Sequence, residues 1–183
     1  MNYSVVKIPV SPVSKKFYEK RYGSRMDARG YIQLDKNHAF GMKVIHYLDL
    51  WFESWEIPKV EGPMLKISLP KFYMKYGIHQ RKLMELKKIL DNEAMEFLIH
   101  EIACAAQYPG ISVTDAIITV MARYDISDEE YRTDSMRRHF DRYCGEVLGE
   151  SFKDFSHKIN AAMKVLYERM VERHIKFEEL ANV

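Results

Sequence analysis

Apolar residues recur at helical spacing over most of this chain, and only three short stretches read as strands. One long helical stripe runs over Gln80–Gln107. Leu83, Leu86, Leu90, Ala94, Phe97 and Glu101 follow one seam, Leu98, Ile102 and Ala105 widen it, and Pro109-Gly110 ends it. Over Glu150–Leu180 a second stripe of Phe155, Ile159, Ala162, Met163, Leu166, Met170 and Phe177 predicts a long C-terminal helix. Phe40, Val44, Tyr47, Leu48, Trp51 and Phe52 predict a third helix over 37–55, capped by Asn37. Ser11-Pro12 reads as a cap followed by proline at the first helical position, with Gly23 as the stop. The strand-like stretches are Tyr3–Val10, Tyr31–Leu34 and Met64–Leu69, the last able to pair with either of the others. Glu56–Pro63 is a turn-rich break, and Pro70–Tyr76 reads as a short helical piece stopped by Gly77.

The pattern predicts a mainly α, single-domain protein over 1–183 with a small N-terminal β element. A mixed β/α part occupies 3–69, a helical core 80–148 and a long C-terminal helix 150–181. The core helices are expected at 37–55, 80–107, 112–124, 135–148 and 151–180.

Ile111–Leu148 carries the most information. Ser112 and Asp115 have capping-pattern spacing, ahead of the apolar face Ala116, Ile117, Val120 and Met121. Ser127-Asp128-Glu129-Glu130 is a second capping box, rich in acids that suit a helix start. Thr133-Asp134 are poor interior residues and good caps, so the expected break falls there and the last helix is Ser135–Leu148. Met136, Phe140, Tyr143, Cys144 and Val147 form its buried stripe, with Arg137, Arg138, Asp141 and Arg142 mostly on the other side. This order predicts a helix-turn-helix-like unit of three helices over 111–148. Arg137, Arg138 and Arg142 would reach phosphates or base edges of double-stranded DNA, and Thr133 and Ser135 would add phosphate hydrogen bonds. Three features oppose that reading. Asp128, Glu129 and Glu130 repel phosphates, the turn lacks the usual glycine, and arginine on a solvated helix face is ordinary.

Composition sharpens this only in its distribution. Net charge is +2. Residues 1–36 hold eight Lys or Arg against three acids, net +5; residues 59–90 hold eight against two, net +6; residues 91–136 hold two against ten, net −8. Such asymmetry predicts a basic face and an acidic face. Lys66, Lys71, Lys75, Arg81, Lys82, Lys87 and Lys88 interleave with Phe72, Tyr73 and Tyr76, and Lys15, Lys16, Lys20, Arg21, Arg25 and Arg29 flank Phe17, Tyr18 and Tyr22. That mixture suits phosphate contact with base stacking, although aromatics at helical spacing are more often core. Cys104 and Cys144 are expected as buried free thiols in a cytoplasmic protein, and no run is long enough for a membrane span.

Little else suggests chemistry. His46 with Asp49 and Glu53, Asp154 with His157, and Glu96 with His100 and Cys104 have one-face helical spacing, but no second ligand pair is implied beside any of them. No nucleophile elbow or glycine-rich phosphate loop is present in the sequence. No catalytic residue, metal or cofactor is expected.

The runs KIPVSPVSKKFYEKRYGSRM and YDISDEEYRTDSMRRHFDRY resemble segments of small bacterial proteins, of uncharacterised activity, associated with integrated mobile elements. They cover about a quarter of the chain. The resemblance implies a bacterial intracellular origin and a DNA-related setting, and it brings no catalytic residues. The first expectation is a non-enzymatic DNA-binding accessory or regulatory protein. The alternative is a helical interaction or assembly protein, with Tyr167, Met170, Ile175 and Phe177 meeting a protein partner or a second copy in a homodimer. An enzyme of unknown class is the third.

Overall fold

The structure is a computed structural model that describes residues 4–50, 61–108, 110–148 and 157. In chain order the elements are β1 (Ser4–Pro9), α1 (Pro12–Arg21), β2 (Ile32–Gln33), α2 (Ala39–His46), β3 (Asp49–Leu50), β4 (Met64–Leu69), β5 (Tyr76–Gly77), α3 (Gln80–Ala106), α4 (Val113–Arg123) and α5 (Thr133–Leu148). The protein is mainly α with a small β element, as the periodicity predicts.

β4 pairs with both other predicted strands, giving the order β1-β4-β2. β1 lies antiparallel, with Val6 opposite Ile67 and Ile8 opposite Leu65; β2 lies parallel, with Ile32 level with Ile67. Alternation puts these side chains and Leu69 on one face, where they are buried. α1 and α3 pack against this sheet. The Ser11 amide donates to Asp91 Oδ1 at 2.8 Å, and the Tyr18 hydroxyl donates to the Leu90 carbonyl and Glu93, so α1 is pinned to α3. Burial alone would raise the Asp91 pKa, but hydrogen bonds from Lys87, Ser14 and the Ser11 amide outweigh it and hold the carboxyl below its usual value.

Several local expectations shift. α1 closes at Arg21 and continues into a 3-10 turn at Gly23–Arg25. α2 is capped by His38 rather than Asn37 and stops at His46, because Asp49–Leu50 leaves the helix to pair with Tyr76–Gly77. The helical piece expected at Pro70–Tyr76 forms in shortened shape, as a 3-10 helix at Lys71–Tyr73 followed by β5. The predicted stretch 51–55, the long C-terminal helix and Tyr167, Met170, Ile175 and Phe177 lie outside the described residues. On α3 the buried stripe is Leu83, Leu86, Leu90, Ala94, Leu98, Ile99, Ile102 and Ala106. Phe97 stands at its edge, against Phe17 and under the Arg21 guanidinium, 4.2 Å from the ring centre.

α2 depends on one close approach. A Cβ on buried Gly41 would sit 2.0 Å from the Asp35 carbonyl oxygen, a backbone atom that cannot swing away. Gly41→Ala is therefore expected to lower stability by about 1–3 kcal/mol through overpacking, despite the helix propensity of alanine. Urea unfolding checks this, and an unchanged midpoint would mean that Asp35 shifts freely.

Candidate nucleic-acid interface

The unit predicted over 111–148 forms as two helices joined by a long capped turn. α4 begins with the predicted capping box: Ser112 Oγ accepts from the Asp115 amide at 3.1 Å, and Asp115 accepts from the Ser112 amide at 3.3 Å. Ala116, Ile117, Val120 and Met121 are buried, as expected. α4 ends with Asp125 in the left-handed region, φ 56°. The Ile126 amide donates to the Met121 carbonyl at 2.9 Å and the Asp125 amide to Ala122 at 3.1 Å, which is a Schellman closure with aspartate where glycine is usual. Met121 and Ile126 are both buried, supplying its apolar contact.

Ser127–Glu130 makes the capping-box hydrogen bonds but not the helix. Ser127 Oγ accepts from the Glu130 amide at 3.4 Å, Glu130 accepts from the Ser127 amide at 2.9 Å, and the segment is a turn. The turn is held from α1 instead. Lys16 binds Glu130 at 2.5 Å and donates to the Asp125 carbonyl, and Lys20 lies 3.5 Å from the Asp125 carboxylate. The hydrogen bond from Lys16 is the main reason the Glu130 pKa falls below its usual value. α5 then starts at Thr133, two residues earlier than expected. Asp128 supplies the cap from outside, accepting from the Thr133 amide at 2.7 Å and from its hydroxyl at 2.8 Å. Those bonds, the amide first, lower the Asp128 pKa.

α5 buries Met136, Phe140 and Cys144 against α3 and α4. Tyr143 is half-buried, and its hydroxyl bonds His100 on α3. Burial is the main cause that raises the Cys144 thiol pKa, whereas Cys104 is exposed, contrary to expectation. The outer face of α5 carries Arg137, Arg138, Asp141 and Arg142, all exposed. It is mixed in charge: exposed Arg137, Arg138 and Arg142 stand beside exposed Asp134, Asp141 and Glu146, three against three. Arg137 is held by Asp141 at 3.1 Å. Arg138 and Arg142, one turn apart, have no hydrogen-bond or ion-pair partner among the described residues. Thr133 is committed to Asp128, and Ser135 is half-buried. Arg132, outside the predicted set because it precedes the expected break, is exposed and lines a groove of about 530 Å³ with Ile118, Met121, Ile126, Asp128 and Asp134. Its position before a run of three further arginines was the available signal.

The wider basic zones are partly spent on ion pairs at the surface of the fold. Besides Lys16 and Lys20, Lys15 pairs with Glu19, Lys43 with Glu93, Lys82 with Asp49, Lys87 with Asp91 and Arg81 with Glu85. Phe17 and Tyr18 are core rings, so the aromatics of α1 do not stack on a ligand. Tyr124 is buried with its hydroxyl on Glu101 at 2.5 Å; burial, then Glu101, pushes its pKa up to about 12. Phe72 differs, being 76% exposed between exposed Lys71 and Lys75. Among the described residues no three His, Cys, Asp or Glu side chains converge as metal ligands, and no helix is long and apolar enough to cross a membrane.

The Asp128 cap gives a pH signature. Its folded pKa lies below the unfolded value of about 3.9, so its contribution is complete above that value and is lost as pH falls through the folded pKa. Asp128→Ala is expected to lower Tm at neutral pH, with the gap to wild type narrowing in acid. Thermal melts across pH check this, and a gap that persists undiminished in acid would show that the ionised carboxylate is not the cap. No protein-family model, curated protein or solved structure matches this chain.

Proposed function

We propose that the chain is a non-enzymatic DNA-binding protein, accessory or regulatory in role, that presents the outer face of α5 to double-stranded DNA. The carrying observation is the pair Arg138 and Arg142, exposed one turn apart and without internal partners among the described residues. Like charges at this spacing disfavour a helix slightly, and a bridging phosphate would relieve that cost. The acids that opposed the reading have internal work. Glu130 is neutralised by Lys16, and Asp128 caps α5. Asp134, Asp141 and Glu146 on α5, with Glu129 on the turn before it, still make the surface mixed, which favours contact by a few arginines over a broad basic surface. Arg132 joins the proposed contact set, Arg137 serves with its Asp141 partner, and Thr133 and Ser135 act by setting the start of α5. The bacterial, cytoplasmic and mobile-element setting implied by the resemblance belongs to this same reading.

A second reading, a helical interaction protein, draws on the groove beside α5. Its Ile118 is 53% exposed, and Met121 and Ile126 supply further apolar lining.

Fluorescence anisotropy on a mixed-sequence duplex separates the two. DNA binding is expected to weaken steeply between about 50 and 200 mM salt, and Arg138→Ala with Arg142→Ala should reduce the log–log salt slope by roughly two while the circular dichroism stays unchanged. Wild type that ignores duplex DNA at low salt, or a double variant that binds as wild type does, overturns the proposal. Self-association that Ile118→Asp abolishes would then support the second reading.

A further inference from the structure

The sheet has a second face. Val6, Ile8, Ile32, Leu65, Ile67 and Leu69 point into the core, so Val5, Lys7, Lys66 and Gln33 point away and are exposed, while the small Ser68, between Val5 and Gln33 on that face, is buried. The antiparallel register sets Lys7 directly opposite Lys66. In the parallel pair Ile32 is level with Ile67, so Tyr31 is level with Lys66. Tyr31, just before β2, Lys66 on β4 and Lys7 on β1 therefore form one row, about 10 Å long at ordinary strand spacing. Lys66 Nζ lies 5.7 Å from the Tyr31 ring centre, and the Arg29 guanidinium carbon lies 5.5 Å from it.

This row is electrostatically costly. Like charges directly opposed on a ladder destabilise it. Lys7 and Lys66 have no carboxylate partner among the described residues. The nearby Asp27 does not serve them. It accepts from the Arg29 and Tyr31 amides, each at 2.9 Å, and sits 3.5 Å from the Arg29 guanidinium. Three cations and one engaged carboxylate leave the face positive around a half-buried ring.

We propose that this outer sheet face binds single-stranded DNA. The ammonium groups of Lys7 and Lys66 and the Arg29 guanidinium take successive phosphates, and a base stacks on Tyr31 once a flexible cation moves from its ring to the backbone. Charge complementarity calls for a polyanion. A short face on which no described element stands to enter a groove suits an unpaired strand, whose bases are free to stack, better than a duplex. The platform is independent of α5; only the choice of DNA over RNA rests on the duplex-DNA reading above.

The test uses the full chain with oligo-dT, oligo-rU of the same length and a duplex as probes. Lys7→Glu turns the opposed lysines into an opposite-charge pair, so it should leave Tm unchanged or raised while weakening oligo-dT binding about tenfold. Tyr31→Ala should weaken oligo-dT binding by a similar factor through the lost stack. Arg138→Ala with Arg142→Ala should leave oligo-dT binding intact, whatever becomes of duplex binding. The proposal is overturned if wild type fails to bind oligo-dT at low salt, or if Lys7→Glu and Tyr31→Ala bind it as wild type does. Tighter binding of oligo-rU than of oligo-dT overturns the assignment to DNA.

Discussion

Burial of the apolar stripe along α3 orders the rest of the molecule. At 27 residues the helix is about 40 Å long, and no single neighbour covers it. Its first half receives the sheet and α1, with Ser11 and Tyr18 bonded to Asp91, Leu90 and Glu93. Its second half receives α4 and α5, through Tyr124 and Arg123 on Glu101 and Tyr143 on His100. Each large buried aliphatic side chain contributes ~1.5–3 kcal/mol, so the stripe outweighs the individual polar contacts. Those contacts decide instead which neighbour sits at which height.

Charge acts as the second organiser, in a way opposite to its usual reading. A basic N-terminal segment and an acidic segment far along the chain look like two faces awaiting two partners. In part they are partners of one another. Lys16 and Lys20 on α1 grip the turn that follows α4, and that turn fixes where α5 begins. These ion pairs are partly exposed, so each is worth little alone. Their consequence is geometric. They hold Asp128 where it caps α5, and the orientation of α5 decides which arginines face water.

Among the described residues, two of the surfaces where positive charge has no internal partner are the Arg138–Arg142 pair on α5 and the Lys7–Lys66 row on the outer sheet face. Both carry a small electrostatic cost in the free protein, and both would be relieved by phosphate. They differ in what lies beside the charge. α5 offers a convex helix edged with acids, suited to a few point contacts. The sheet offers a half-buried ring beside a row of cations.

The parts of this protein readable from sequence are those fixed by residues a few positions apart. Helical periodicity marked α3 and α4, the Ser112–Asp115 pair marked the start of α4, and β-branched alternation marked the three strands of the sheet. The candidate arginines were legible in the same way, because which side of α5 they occupy follows from 3.6-residue spacing. Tertiary contact decided the rest. Asp49–Leu50 left its predicted helix for a strand partner at Tyr76–Gly77. A correct capping box at Ser127 failed to nucleate a helix, because Lys16 and Lys20 hold that turn and Asp128 gives its cap to Thr133. The row of Tyr31, Lys66 and Lys7 exists only through strand register, which joins residues remote in the chain. Local hydrogen bonds and periodicity depend on neighbours that the sequence displays; charge pairing and register depend on neighbours that only folding brings together.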